Sequence, residues 1–177
     1  NKYFAEKVFL LRSHGIKGRK NMQYDVVSYG FNFRLSDLNC ALGITQIKKI
    51  NKILNYRKKL FKYYLNNLNN YKNVIQFIND NYKYSSCHLA IVKINFKKLK
   101  ISKKTFFQKL KKKQILCQFH YIPQYKFKFY FSNKNLLNAE EYYKNCISLP
   151  IHLLINNKQI KYIVLQIKKI IDQCLNK

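Results

Sequence analysis

No stretch of this chain is apolar for the roughly 20 residues that a helix needs to cross a bilayer, and the residues from Asn1 onward carry no signal-peptide pattern. Five cysteines, Cys40, Cys87, Cys117, Cys146 and Cys174, are scattered, odd in number and without a C-x-x-C pair. That excludes a disulfide framework or a cysteine zinc site and suits a reducing cytoplasm. The histidines His14, His88, His120 and His152 have no metal-ligand spacing, so no metal is expected. There is no G-x-G-x-x-G turn, no Walker loop and no serine–histidine–aspartate set. Acids are scarce as well: seven Asp and Glu stand against 35 Lys and Arg, for a net charge of +28.

That charge raises one class of function, a basic module that binds RNA, DNA or an anionic surface. The 15 Tyr and 13 Phe would stack beside the cations in such a module. Two features weigh against it. Only Arg12, Arg19, Arg34 and Arg57 are arginine, the residue suited to bidentate phosphate or base contacts. The lysines are also spread along the chain. Lys, Asn, Ile, Tyr and Phe share A/T-rich codons, so compositional drift explains much of the charge as a solvated face. Neither a membrane nor a specific nucleic acid is expected as a partner. The 47% of hydrophobic residues in a 177-residue chain argue instead for a folded core in one or two domains.

Helical spacing of Phe4, Val8 and Leu11 opens the chain, and Gly15 and Gly18 mark the end of that helix and a turn. Lys20 to Ser28 reads as a polar loop anchored by Tyr24, Val26 and Val27. Leu38, Leu42, Ile47, Ile50, Leu54, Phe61, Tyr64, Leu65 and Leu68 keep a period close to 3.6, with a break near Asn51. Gly43 inside that pattern predicts close packing against another backbone, since glycine in a helix costs roughly 1 kcal/mol against alanine. Asn66 to Asn81 reads as a loop with a short apolar run, Val74 to Ile78. A strand around Leu89–Phe96, a helix capped by Ser102, a strand Ile115–Ile122 ended by Pro123, a helix capped by Asn138 with Glu141 as its capping-box partner, a strand Cys146–Ile151 and a final helix complete the chain. The stripe Ile160, Ile163, Val164, Ile167, Ile170, Ile171 and Cys174 makes that last helix a core element. The class is α/β.

The segment Tyr29 to Gly43, YGFNFRLSDLNCALG, carries the most chemistry. Ser36 is a good N-cap and Asp37 comes next in the first turn, where the helix dipole favours an acid. Alternation sets Asn32 and Arg34 apart from the rings of Phe31 and Phe33. Backbone N–H groups at the helix entrance, with the Asn32 amide and the Arg34 guanidinium, suit a phosphate. A loop that simply caps a structural helix is the plainer alternative.

The same segment resembles the G-[YF]-N-[YF]-R-[ML]-[ST]-[DE] motif of the DegT-type sugar-nucleotide aminotransferases. Three further segments agree in order: Leu11–Ile16 (LRSHGI), His120–Pro123 (HYIP), and Asn138 to Ile151 (NAEEYYKNCISLPI). The HYIPQYKFKFY run and the RSHGI wording are similar to the branch serving pseudaminic acid synthesis. The resemblance implies a fold-type I, aspartate-aminotransferase-like transferase dependent on pyridoxal 5'-phosphate (PLP). Residues 1–52 would be the end of the large PLP-binding domain and 53–177 the small C-terminal α/β domain.

By this resemblance, the parent enzyme would move an amino group from glutamate to the C4 keto group of a UDP-4-keto-6-deoxy-N-acetylhexosamine. It would be a cytoplasmic homodimer with shared active sites. Asn32 would reach the cofactor phosphate of the neighbouring subunit and lie at the substrate. Arg34 would sit beside it and meet the same cofactor phosphate or the substrate. Cys117, Gln118, Phe119, His120 and Tyr121 would lie at the sugar nucleotide, although a lone His is more often satisfied internally. The catalytic lysine and the carboxylate facing the pyridine nitrogen would lie upstream of residue 1. This stretch would then be the carboxyl half of the enzyme, inactive alone, with none of its own lysines catalytic.

Overall fold

The computed structural model describes residues 1–18, 24–78, 81–131 and 136–176. Arg19 and most of the expected polar loop, Lys20 to Gln23, lie outside them. The chain divides into two compact units, Asn1–Ile50 and Asn51–Lys177.

In the first unit, helix α1 (Lys2–Arg12) starts at Asn1, whose side chain accepts from Tyr3 N–H. Strands β1 (Ile16–Lys17) and β2 (Asp25–Val26) pair antiparallel. Helix α2 (Asp37–Lys48) begins as expected at Ser36, whose hydroxyl accepts from Asn39 N–H, with Asp37 in the first turn. Neither helix buries a residue. The apolar spacing is present, yet Phe4, Val8, Leu38, Leu42 and Ile47 are all more than half exposed. The anchors expected at Tyr24, Val26 and Val27 are exposed too. No atom lies within 4 Å of a Cβ built on Gly43, so the close backbone packing expected there is not found. The apolar pattern marks a face that this unit leaves uncovered.

The second unit holds the core. Helix α3 (Ile50–Leu68) comes after a break at Lys49 and buries Leu60, Phe61, Tyr64 and Leu68. The expected loop run Val74–Ile78 is instead a short strand, β3 (Ile75–Phe77), at the edge of a three-stranded antiparallel sheet. Strand β4 (Ala90–Ile94) is central and β5 (Cys146–Leu149) lies on its other side, with Val92 opposite both Phe77 and Ile147. Ala90, Val92 and Ile94 alternate into the core, as the two-residue period of a strand requires. Helices α4 (Phe96–Leu99) and α5 (Lys103–Lys112) both pack against α7 (Asn157–Leu175). Phe106, Leu110, Ile167 and Ile171 join Val92 and Tyr64 in one cluster. Every residue of the expected α7 stripe is buried. A capping box at Asn156 and Gln159 starts α7.

Two expected elements differ. Helix α6 (Leu137–Asn145) starts at Leu136 without a side-chain cap, so Asn138 lies in its first turn and caps nothing. Glu141 pairs with Lys93 on β4 and is not part of a capping box. Residues 115–122 are not a regular strand: only Gln118 bridges Ser148 of β5. The alternation that suggests a strand is real at Ile115 and Cys117, both buried. A single bridge leaves the segment after Gln118 free of a ladder.

Candidate functional site

In the first unit, the two motifs that frame the site lie backbone to backbone. His14 N–H donates to Phe31 C=O at 3.0 Å, Phe31 N–H to Leu11 C=O at 2.7 Å and Phe33 N–H to Arg12 C=O at 3.1 Å. Asn32 bridges Ser13, which is buried. A Cβ on Gly30 would stand 2.0 Å from Gly15 N, and one on Gly15, whose φ is 68°, would stand 1.8 Å from Ser28 O. Glycine is therefore required at both positions. The rings of Phe31 and Phe33 stack at 4.9 Å, as alternation along an extended segment allows. Asn32 and Arg34 are both exposed beside the entrance to α2. Arg34 lines an open groove of about 1240 Å³ with Arg12 and Phe33, whereas Asn32 is outside that lining.

In the second unit, Gln118 and His120 line a groove of about 710 Å³ together with Ser148. His120 is held twice. Its Nδ1 lies 2.8 Å from Ser148 Oγ, and Tyr142 Oη donates to its carbonyl at 3.0 Å. Phe119 packs on Phe107 at 5.0 Å, with Lys103 Nζ 4.3 Å above its ring. Lys103 also donates to Tyr143 C=O, and burial lowers its pKa. Tyr121 is 71% exposed and meets His120 edge to face. Cys117 faces the other way. It is buried in the core, and burial pushes its thiol up to about 12, so its side chain is not presented with its neighbours.

Sequence reasoning does not single out Ser148 or Tyr142. The available signal is a serine inside Cys146–Leu149, a strand buried at every position. A hydroxyl there needs a partner, and His120 supplies one. Below the segment, Lys126 and then Tyr125 bond Glu140 and hold its carboxyl under the usual range. Among the described residues no three His, Cys, Asp or Glu side chains are placed to hold a metal ion, and no helix is long and apolar enough to cross a membrane.

This architecture matches solved structures over nearly all of the chain. Helicobacter pylori PseC, described as an aminotransferase involved in the biosynthesis of pseudoaminic acid, superposes with a TM-score of 0.83 at 30% identity, over 98% of this chain and 47% of that one. A putative sugar aminotransferase from Streptococcus pneumoniae, at 22% identity and a TM-score of 0.80, shares the fold. The chain is thus an α/β piece of the fold-type I PLP-dependent transferase architecture. A model of the DegT/DnrJ/EryC1/StrS aminotransferase family matches residues 1–168, and the chain belongs to that family. A UDP-4-amino-4,6-dideoxy-N-acetyl-beta-L-altrosamine transaminase of Campylobacter jejuni is 36% identical over 92% of this chain and 44% of its own length. The Helicobacter pylori enzyme of the same name is 32% identical over 93% of this chain and 44% of its own length. The chain spans about half the length of the curated relatives it matches.

Proposed function

We propose that this chain is the carboxyl-terminal part of a PLP-dependent aminotransferase acting on a nucleotide sugar. In the complete protein it moves an amino group from glutamate to the C4 keto group of a UDP-4-keto-6-deoxy-N-acetylhexosamine, within pseudaminic acid or related surface-glycan synthesis. The observation that carries this reading is the family match along residues 1–168, with relatives of that name at 36% and 32% identity. In this reading residues 1–52 are the end of the large domain and 53–177 the small domain, a boundary two residues from that between the compact units. The uncovered apolar faces of α1 and α2 are those that the rest of the large domain would cover. The complete protein is a cytoplasmic homodimer with shared active sites.

The residues present fit one end of the cofactor. When bound, PLP supplies the electron sink that transamination needs. Asn32 offers an amide N–H to a phosphate oxygen, and Arg34 brings a guanidinium beside it. Both are exposed and are set by the backbone pairing of residues 31–33 with the end of α1. Gln118, Phe119, His120 and Tyr121 form the surface offered to the sugar nucleotide. There Ser148 and Tyr142 orient His120, and Lys103 steadies Phe119. In this reading the catalytic lysine and the carboxylate at the pyridine nitrogen are not among these residues, and the 177 residues alone are expected to turn over no keto sugar.

The reading is tested with Asn32→Ala in the complete enzyme. Cofactor retention, followed by PLP absorbance after dialysis, is expected to fall at least tenfold. Retention equal to the unaltered enzyme removes Asn32 from the cofactor site.

A further inference from the structure

The second unit carries a groove of about 710 Å³ between the first half of α3, the end of β5 and the start of α7. Three of the four histidines, His88, His120 and His152, line it, and so does Arg57, one of four arginines. In a chain this rich in lysine, a lysine in a groove carries no information. The gathering of rare residue types does. Among the described residues, no Asp or Glu lines the groove. Nor does Arg57 have a carboxylate partner among them: its Nη1 reaches only His88 Nδ1, at the long distance of 3.5 Å, and its Nε is buried with no hydrogen-bond partner. A buried guanidinium nitrogen left unpaired is costly, and the planar fork of arginine matches the oxygens of a phosphate. His152 Nδ1 accepts from Leu154 N–H at 3.3 Å, which leaves its other nitrogen as the donor. Among the described residues these histidines belong to no group of three His, Cys, Asp or Glu that could hold a metal ion.

We infer that this groove is a binding site for a small phosphate-bearing anion, held by Arg57 with His88 and His152. The site goes beyond the function proposed above. It shares Gln118 and His120 with the substrate surface, and to that extent it rests on that reading, but its anion-holding residues lie outside that surface. Asn32 belongs to the other unit, so the fate of the cofactor assignment leaves this one untouched.

Pyrophosphate titrated into the complete enzyme at physiological salt tests the site. It should bind one to one and shift the imidazole resonances of His88 and His152. Arg57→Gln should weaken that affinity at least tenfold, and His152→Gln, on an exposed loop that need not disturb folding, about threefold or more. Replacing the exposed Lys97 and Lys98 with Gln should leave it unchanged. Absence of saturable binding, binding that survives both groove variants, or an equal loss from the lysine replacements would overturn the site.

Discussion

Gly30 shows how a motif letter becomes a physical requirement. Any side chain there would collide with the backbone of Gly15, in the other motif of the same unit. Gly30→Ala is expected to destabilise that unit by about 1–3 kcal/mol through forced overpacking. Faster amide hydrogen exchange at residues 11–16 and 31–33 would register it. Tyr64 is the matching case in the core. It is fully buried, its hydroxyl donates to Pro150 C=O at 2.7 Å, and burial raises its pKa. Tyr64→Phe should cost about 1 kcal/mol in chemical denaturation. Cysteine reactivity should follow exposure. Cys40 is exposed and the other four are buried, with Cys87, Cys117 and Cys146 raised in pKa by burial. Brief iodoacetamide treatment of the folded chain should modify Cys40 alone, as read by peptide mass spectrometry. The glycines are legible in the sequence only as turn markers and motif letters, because a close approach between distant backbones leaves no local trace there.

At the scale of elements, helices with an apolar stripe and a polar cap are the most legible. Ser36, Ser102 and the α7 stripe all stand where the spacing puts them, since both signals are local. Strand β3 looks like a loop in sequence because three residues between asparagine-rich flanks carry too short a pattern. Helix α6 suggests the wrong cap for a different reason. Asn138 and Glu141 look like a capping box in sequence, but Asn138 caps nothing and both acids find a lysine from elsewhere: Glu141 pairs with Lys93 and Glu140 with Lys126. Those pairings hold both carboxyls below their ordinary range, through Lys93 for Glu141 and through Lys126 and Tyr125 for Glu140. A carboxyl depressed in the folded state stabilises it above the unfolded pKa, and that contribution is lost as pH falls through the folded value. The melting temperature should therefore drop as pH falls below the ordinary carboxylate range, and Glu140→Gln should shallow that drop. Both pairs reach solvent, so the effect should shrink in high salt. The alternation of residues 115–122 is legible, but the regular strand that it suggests is absent. Which side of the segment is presented depends on Ser148 and Tyr142, residues that only the tertiary structure brings to His120.

For the whole molecule, the motifs in order carry the family, which the match along residues 1–168 shows. Composition by itself points elsewhere, towards a basic binder. The sequence pattern does not reveal that the apolar stripes of α1 and α2 stay uncovered within this chain. Periodicity shows that a face is apolar, not what lies against it. Exposed apolar faces of this kind favour association, so the isolated 177-residue chain should run larger than its 21.4 kDa in light scattering. A clean monomer would mean that those faces are tolerated in water.

The proposed function places this chain in a PLP enzyme whose catalytic lysine is none of its own 31 lysines. Borohydride reduction of the native gene product, with peptide mass spectrometry as the readout, tests that most directly. One pyridoxyl group is expected, on a lysine outside these 177 residues. A pyridoxyl group on a lysine of these 177 residues, or none on the native product, would contradict it.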